Sequence, residues 1–399
     1  MPQLAIQPWM IAARRVMDAL EAARPGSARY VGGCVRNALL GEPVSDIDIA
    51  TQLVPDEVTQ VMRTANIAVH PTGIEHGTLT VVADHTPFEV TTLRRDVETD
   101  GRRAVVAFTQ DWEEDAQRRD FRINALYADR DGHVFDPTGG GLDDLAARRI
   151  VFVGDPETRI REDYLRILRF FRFYAWYGRG ALDGAGLAAC AKLRVGLEGI
   201  SVERIWMETK KLCAAAEPIG ALEAMGSSGV LAQIFPEARG LGLLRKLVAL
   251  ESRRGSAPDA LLRFLSLVWK DAAATRAIAN RLKLSNEERN RIVLPAEDGT
   301  PMPADMTPHD VRVAVYRVGA VVVMDLAKLA WAESGDPAWA DVVELAEAWP
   351  RPVMPLTGGD LLAREFTPGP LLGEALRKAE TAWIASDFLL SRDELLRLV

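Results

Sequence analysis

The stretch YVGGCVRNALLGEPVSDIDIAT, from Tyr30 to Thr51, decides the prediction of the fold. Two glycines stand ahead of a short apolar helix, where glycine lets the backbone approach a ligand closely. The free N–H groups at the start of a helix favour an anion such as a triphosphate. Gly32 and Gly33, with Arg36 as a charged donor nearby, are therefore candidate phosphate-binding residues, although a tight strand-to-helix turn would by itself call for glycine.

Two aspartates close the same stretch. On a strand, residues i and i+2 project to the same face, so the carboxylates of Asp46 and Asp48 point together while the isoleucines face the core. These like charges repel each other unless a divalent cation such as Mg²⁺ bridges them. A pair of solvated aspartates is the simpler interpretation of Asp-x-Asp alone, but the glycines at short spacing favour a metal site.

Composition and charge bound the class of protein. The chain has 399 residues, of which 48% are hydrophobic, enough for two or three compact units. No apolar run approaches the ~20 residues needed to cross a bilayer, and a cytoplasmic protein without membrane contact is expected. The net charge of −8 argues against bulk attraction to nucleic acid, but arginines gather locally, as in RRDFR.

The periodicity of the sequence changes along the chain. Strand-like runs alternate with turns from Arg29 to Asp136, and a period of three to four residues takes over afterwards, which predicts an α+β unit followed by helices. The predicted strands are Arg29–Val31, Ile47–Ala50, GTLTVVA from Gly77, FEVTTL from Phe88 and HVFDP from His133. In FEVTTL, alternation places Glu89 opposite the apolar residues, as a candidate third carboxylate or an ordinary exposed glutamate.

Six motifs in this order carry a resemblance: GGCVRNALLG…SDIDIAT, HGTLTVV, FEVTTLR, RRDFRINAL, FDPTGGGLDDLAARRIVFVGDP and IREDYLRILRFFRF. Together they resemble the class II CCA-adding tRNA nucleotidyltransferase and bacterial poly(A) polymerase family, which is polymerase-beta-like. The resemblance implies an α+β head with a mixed or antiparallel sheet (1–137), an all-helical neck (138–215), and a helical body and tail (216–399). Asn37 departs from the family, which has aspartate there, and we expect an altered local hydrogen bond with activity retained.

The resemblance also implies site residues. Asp46 and Asp48 would hold Mg²⁺, with Glu89 as a third catalytic carboxylate. In RRDFRINAL, Asp120 and Asn124 would contact the ribose of the incoming nucleotide from one helical face, unless Asp120 merely stabilises a helix start. The nucleotide-binding residues implied are Gly32, Gly33, Arg36, Arg119, Asp120, Asn124, Asp163, Arg166 and Arg169.

The last three of these residues would read the base. Asp163 and Arg166 are one helical turn apart, so an acceptor and a donor would face the edge of cytosine or adenine, together with Arg169. A plain Glu162–Arg166 salt bridge on a solvated helix is an alternative that is compatible with base reading. In the neck motif ERIWMETKKL, Glu203 and Arg204 would brace the helix that carries the readers.

Three other segments have alternative interpretations. The arginine-rich segment between Leu93 and Asp111 predicts a mobile hairpin or loop centred on Asp100-Gly101, which in the family accompanies addition of both C and A. The run FFRFYAWYG is either a base-stacking platform or, as helical spacing favours, part of the core. The dipeptide His309-Asp310 is too isolated to indicate a metal phosphohydrolase domain.

The function implied by the resemblance is template-independent addition or repair of the 3′-terminal CCA of tRNA from CTP and ATP, with release of pyrophosphate. Poly(A) polymerase is the nearest alternative, because it shares the head and neck. A catalytically silent RNA-binding protein on the same fold is an alternative of a different class. The retained carboxylates argue against it, because a silent relative has no use for charges that repel each other.

Overall fold

The computed structural model describes residues 2–99, 104–268, 272–297, 302–303, 305–364 and 366–399. The chain forms two compact units, Met1–Pro236 and Glu237–Val399. Every strand in the described part of the chain belongs to the first unit, and helices make up the second. The finer domain limits at 137/138 and 215/216 stay a prediction.

The first unit is built around a mixed sheet. Its strands are β1 (Ala28–Val31), β2 (Asp48–Thr51), β3 (Ala68–Gly73), β4 (Thr78–Ala83), β5 (Thr86–Thr92), β6 (Arg94–Thr99), β7 (Ala104–Phe108), β8 (Tyr127–Ala128) and β9 (Val134–Phe135). Seven of them form one sheet in the order β3-β4-β5-β2-β1-β8-β9. The β2–β5 pair is parallel, and the other pairs in this sheet are antiparallel. The predicted α+β head with a mixed sheet is therefore confirmed.

Helices surround and follow this sheet. They are α1 (Pro8–Ala12), α2 (Arg14–Ala23), α3 (Gly33–Leu40), α4 (Pro55–Thr64), α5 (Trp112–Gln117), α6 (Gly141–Ala146), α7 (Pro156–Glu162), α8 (Leu165–Tyr177), α9 (Gly184–Leu193), α10 (Val202–Cys213), α11 (Ile219–Ser227) and α12 (Val230–Ile234). Among the described residues, short 3₁₀ helices lie at Ile74–His76, Arg122–Asn124 and Arg194–Gly199. Helix α2 ends at Ala23, and Pro25 and Gly26 follow shortly after it.

An aromatic cluster fixes α8 against the head. Phe121 and Phe152 pair through an isolated bridge, and their rings lie 4.9 Å apart. The ring of Phe170 stacks on Phe152 at 5.4 Å, and that of Phe173 lies 5.1 Å from Phe121. The prediction that the FFRFYAWYG run is core is confirmed for Phe170 and Phe173, whereas Tyr174 is only half-buried. Because Phe121 follows Asp120, this packing also determines where the site residues lie.

The predicted hairpin after Leu93 agrees with the pairing of β6 and β7. These strands are antiparallel, from Arg94 opposite Phe108 to Thr99 opposite Ala104. The predicted centre, Asp100-Gly101, lies outside the described residues.

The second unit contains helices α13 (Gly242–Arg254), α14 (Ala260–Val268), α15 (Ala272–Arg281), α16 (Asn286–Glu297), α17 (Pro308–Val318), α18 (Ala320–Ser334), α19 (Trp339–Ala348), α20 (Gly358–Leu362), α21 (Pro370–Ala385) and α22 (Arg392–Leu398). A capping box begins α16, because Ser285 and Glu288 exchange backbone and side-chain hydrogen bonds. His309 and Asp310 have different partners, Asp387 and the N-cap Thr307.

Over the described residues, no helix is long and apolar enough to span a membrane.

A buried ion pair joins two helices of this unit. Arg263 Nε on α14 donates to Glu251 Oε2 on α13 at 2.7 Å, and the two side chains are 2% and 8% exposed. Removing one member of such a pair takes a charge-assisted hydrogen bond away from a charge that stays buried. We expect Glu251→Ala to lower the free energy of unfolding by about 3 kcal/mol in urea titrations.

Glu344→Ala is the matched control, because Glu344 pairs with Arg254 at 3.5 Å on the surface. Exposed pairs contribute little, so this change should cost less than about 1 kcal/mol. Equal losses in the two variants would contradict the burial argument.

Candidate functional site

The acidic side chains gather at one end of the parallel β2–β5 pair. Asp48 begins β2 and lies in register with Glu89 on β5. Side chains at matched positions of neighbouring strands project to the same face. Phe88 and Val90 are buried while Glu89 is exposed, so the predicted alternation is confirmed. Asp46 precedes the strand and is exposed, which corrects the prediction that both aspartates lie on it.

Asp48 is electrostatically unfavourable as an anion. Burial, followed by the negative charges of Glu89 and Asp46, raises its pKa to about 6, although Arg119 acts in the opposite direction. Within the described ranges, no group of three or more histidine, cysteine, aspartate or glutamate side chains is arranged to hold a metal ion. The raised pKa of Asp48 nevertheless shows that the positive charge near its carboxylate is too small to stabilise the ionised form fully.

Gly32 has a backbone conformation that requires glycine. Its φ is +72° and its ψ is −119°, and it immediately precedes α3. Its N–H donates to Leu126 O at 3.1 Å, so this amide is already used inside the head. A Cβ built on Gly32 would lie 3.6 Å from Arg119 Nη1, which places that guanidinium beside the glycine turn.

We expect Gly32→Ala to destabilise the protein. A non-glycine residue with this φ and ψ costs about 1–3 kcal/mol, which chemical denaturation would detect. Gly33→Ala is the control, because Gly33 is the first residue of α3 and does not have positive φ. It should be neutral or slightly stabilising. Equal losses in the two variants would contradict the conformational explanation.

Arg36 is largely buried and connects α3 to α8. It is 6% exposed, and its Nη1 donates to Asn124 Oδ1 while its Nη2 donates to the Tyr177 hydroxyl at 2.8 Å. Burial lowers its pKa, against the effect of Tyr177 and Asp120. The structure therefore surrounds Arg36 with protein partners, whereas the sequence suggested an available phosphate donor.

Asp120 and Asn124 lie together as predicted, but not on one α-helix. Asn124 ends the 3₁₀ helix Arg122–Asn124, and Asp120 precedes that helix. Asn124 Nδ2 donates to Asp120 Oδ1 at 3.0 Å, and Arg169 Nε donates to Asp120 Oδ2 at 2.8 Å. Burial alone would raise the pKa of Asp120, but Arg169 and Asn124 hold it at about 2. A continuous hydrogen-bonded chain thus runs from Arg36 to Arg169.

Asp163 and Arg166 lie one backbone turn apart, because Arg166 N donates to Asp163 O at 2.9 Å, but Asp163 itself lies outside α8. Asp163 occupies the break between α7 and α8, with φ −154°, and Arg166 lies in the first turn of α8. Arg204 Nη2 donates to Asp163 Oδ2 at 2.7 Å, which agrees with the predicted bracing by the neck motif. Arg166 Nη1 donates to Glu162 Oε2 at 2.5 Å, so the salt bridge considered as the alternative is present.

Asn37 forms local hydrogen bonds, as expected where asparagine replaces the aspartate of the family. Its Oδ1 accepts from Arg36 Nη2 at 2.8 Å, and its Nδ2 donates to Pro43 O at 2.7 Å. An aspartate could not make the second bond, because it has no donor when ionised. The effect of this residue on activity stays a prediction.

Several residues of this region were missed by sequence reasoning. Tyr177 holds Arg36, and Glu208 on α10 pairs with Arg172 and approaches Arg169 at 3.9 Å. Asp115 forms a salt bridge with Arg119. The sequence held a signal for this pair, because the two residues are four positions apart. No such spacing connects Tyr177 to Arg36, which are 141 residues apart.

Comparisons with known proteins agree along most of the chain. Residues 28–151 match the Poly A polymerase head domain, and residues 182–241 match the Probable RNA and SrmB-binding site of polymerase A. The mitochondrial CCA tRNA nucleotidyltransferase 1 of Danio rerio is 34% identical over 379 residues, covering 92% of this chain and 86% of the relative. The CCA-adding enzyme of Streptococcus sanguinis is 36% identical over 373 residues, covering 89% and 88%.

A solved structure supports the same grouping. The crystal structure of the Bacillus stearothermophilus CCA-adding enzyme in complex with CTP superimposes with a TM-score of 0.76 and 28% sequence identity. The match covers 96% of this chain and 94% of that one. The likeness therefore extends through both units.

Proposed function

The chain belongs to the CCA-adding tRNA nucleotidyltransferase family, and from this premise we propose that it adds or repairs the 3′-terminal CCA of tRNA from CTP and ATP. In this reaction the RNA 3′-hydroxyl attacks the α-phosphate of the nucleotide and pyrophosphate leaves. The observation that carries the proposal is the pair Asp48 and Glu89, in register beside Arg119 and Gly32. Repelling carboxylates next to a fixed cation suit a site for metal-bound phosphates.

Enzymes of this family are nucleotidyltransferases that generally need a divalent metal ion, and we propose Mg²⁺. The donor set fits, because carboxylate oxygens are the hard ligands that Mg²⁺ prefers and phosphates and water complete its shell. Asp48 and Asp46 would hold the ion, with Glu89 as the neighbouring carboxylate. When bound, Mg²⁺ would lower the charge on the α-phosphate and favour ionisation of the attacking hydroxyl. The carboxylates orient the reactants around this point.

The other site residues would bind the nucleotide. Gly32 and Gly33 would permit close approach of the triphosphate, and Arg119 would contribute its charge. Asp120, held by Arg169, retains acceptor capacity for a ribose hydroxyl, although it is only 8% exposed. Asn124 and Arg36 would keep this carboxylate in place from the α3 side.

Asp163, Arg166 and Arg169 would select the base. The carboxylate of Asp163 accepts from the amino group that cytosine and adenine share, and the arginines donate to ring acceptors. Uracil and guanine present the opposite pattern at this edge. Arg166 is now engaged by Glu162, so base reading by Arg166 requires sharing or exchange of that partner.

These residue assignments imply a separate role for each part of the chain. The head would carry out transfer, the neck would read the base, and the helical body and tail would hold tRNA by backbone and shape. The cytoplasmic location stays a prediction, and the relatives include mitochondrial enzymes.

The test is incorporation of labelled CTP and ATP, each alone, onto a tRNA transcript that lacks CCA and onto an unstructured RNA, with and without Mg²⁺. We expect metal-dependent incorporation of CMP on the tRNA transcript. Incorporation of AMP on the unstructured RNA would instead identify a poly(A) polymerase. Nucleotide binding without incorporation would identify a silent RNA-binding protein.

A further inference from the structure

A buried carboxylate that the proposed reaction does not use lies next to the site. Asp115, on α5, is 1% exposed. Its Oδ1 accepts from Arg118 Nε at 2.9 Å and from the backbone N–H of Arg94 at 3.2 Å. Its Oδ2 accepts from Arg119 Nη2 at 3.0 Å and from the Tyr127 hydroxyl at 2.7 Å. Although burial alone would raise the pKa of Asp115, the two arginines hold it well below the usual range.

These contacts fix the guanidinium of Arg119 on two sides. Nη2 donates to Asp115, and Nε donates to the Tyr127 hydroxyl at 3.2 Å. Nη1 makes no hydrogen bond with any of the described residues and lies 3.6 Å from the position of a Cβ on Gly32. The free edge of this arginine therefore points toward the glycine turn.

We propose that Asp115 and Tyr127 are positioning residues that hold Arg119 Nη1 toward the triphosphate of the incoming nucleotide. This inference rests on the proposed function, because it presumes that the glycine turn binds a nucleotide. An arginine has several rotatable bonds and loses conformational entropy when a ligand orders it. A guanidinium already fixed at two nitrogens avoids most of that loss, which is the benefit of preorganisation.

The same carboxylate also anchors the hairpin. Arg94 is the first residue of β6, and its N–H bonds the oxygen of Asp115 that faces away from Arg119. One side chain therefore connects the start of β6 with the phosphate-binding arginine. Substitution of Asp115 is expected to disturb both, whereas substitution of Tyr127 removes its bonds to Arg119 and Asp115 but leaves the Arg94 N–H bond to Asp115 in place.

The test measures equilibrium binding of inorganic pyrophosphate and of CMP by calorimetry with Mg²⁺ present. Pyrophosphate reports on the triphosphate side of the site, and CMP reports on the nucleoside side. Asp115→Asn should weaken pyrophosphate binding by about 10–100-fold, because a hydrogen bond to a charged group is lost. Tyr127→Phe, which removes one hydroxyl and keeps the ring, should weaken it by about 3–10-fold. CMP binding should change by less than about 3-fold in both variants.

Two comparisons separate positioning from general damage. Asp111→Ala removes the side-chain cap of the same helix, where Asp111 accepts from Glu113 N, and should leave pyrophosphate binding unchanged. In an Arg119→Gln background, Asp115→Asn should add little, because its effect acts through that arginine.

Unchanged pyrophosphate binding in both Asp115→Asn and Tyr127→Phe would overturn the inference, as would full additivity with Arg119→Gln. Both binding measurements are independent of nucleotide transfer. A wild-type protein that binds pyrophosphate but does not extend RNA would contradict the proposed function alone, and the variants would still test the positioning of Arg119.

Discussion

Replacing Asp48 by asparagine should reduce nucleotide transfer by about 1,000-fold or more and at the same time stabilise the metal-free protein. Activity falls because the site loses a charged ligand at the point where charge develops during transfer. Stability rises because asparagine avoids the cost of burying a charged carboxylate and, secondarily, the repulsion from Glu89 and Asp46. Loss of function combined with gain of stability distinguishes a functional charge from a structural one.

The sign of the stability effect follows from the pKa. The folded protein raises the pKa of Asp48 from 3.8 to about 6, so the folded state binds a proton more tightly than the unfolded chain. The free energy of unfolding should therefore decrease as pH rises from about 4 to about 6, and Asp48→Asn should remove this decrease. After allowance for partial exposure, the gain at pH 7 is roughly 1–2 kcal/mol.

Urea titrations in a chelating buffer at pH 4.5 and pH 7 would measure this gain. Asp56→Asn is the control, because Asp56 is an exposed acid in the first turn of α4. It should give no stabilisation and no loss of transfer. If Asp48→Asn kept transfer within 10-fold of the wild-type protein, Asp48 would not be a metal ligand.

Replacing Asp163 by asparagine should weaken base selection. The amide presents a donor where the carboxylate presents only acceptors, so it disfavours the amino group of cytosine and adenine and suits the carbonyl of uracil or guanine. A polar mismatch from which the bound base excludes water costs about 1–3 kcal/mol. We expect the ratio of kcat/KM for CTP to that for UTP to fall by about 10–100-fold, measured in single-nucleotide incorporation.

The amide oxygen that remains in the Asp163→Asn variant can still accept from Arg204, so the neck contact is preserved. Glu157→Gln is the matched control on α7, because Glu157 forms exposed pairs with Arg161 and Lys192. Its selectivity should equal that of the wild-type protein. An unchanged CTP/UTP ratio in Asp163→Asn would remove Asp163 from the base-reading site.

Local patterns in the sequence predicted those features that depend on a few neighbouring residues. Alternation in FEVTTL correctly placed Glu89 outward, because each strand residue simply faces opposite to the previous one. The same alternation failed for Asp46, since a two-residue period does not reveal where strand pairing begins. In the structure β2 begins only at Asp48, where pairing with β5 starts.

The i, i+4 spacing of Asp120 and Asn124 predicted correctly that they are close, but it predicted the wrong backbone conformation between them. Asp120 and Asn124 are bonded as the i, i+4 spacing suggested, but the chain between them turns through a 3₁₀ helix with Phe121 buried. The break at Asp163 was hidden because the hydrophobic period continues from α7 into α8. Strand β3 was missed since its sequence, AVHPTG, contains a proline and lacks apolar alternation. It is an edge strand, which pairing with β4 alone stabilises.

Contacts between distant parts of the chain had no local signal. The bonds from Arg36 to Tyr177 and from Asp120 to Arg169 join the head to α8 across long stretches of sequence. These contacts determine which arginines are available to a nucleotide. They enclose Arg36 with protein partners, whereas Arg119 Nη1 makes no hydrogen bond with the described residues.

The most direct test of the account is the sequence of the RNA 3′ ends produced from a tRNA transcript lacking CCA when CTP, ATP and Mg²⁺ are all present. We expect products that end in a single CCA and stop there, with no extension of a transcript that already carries CCA. Long adenosine tracts, or transcripts left unextended by a protein that binds both nucleotides, would contradict it.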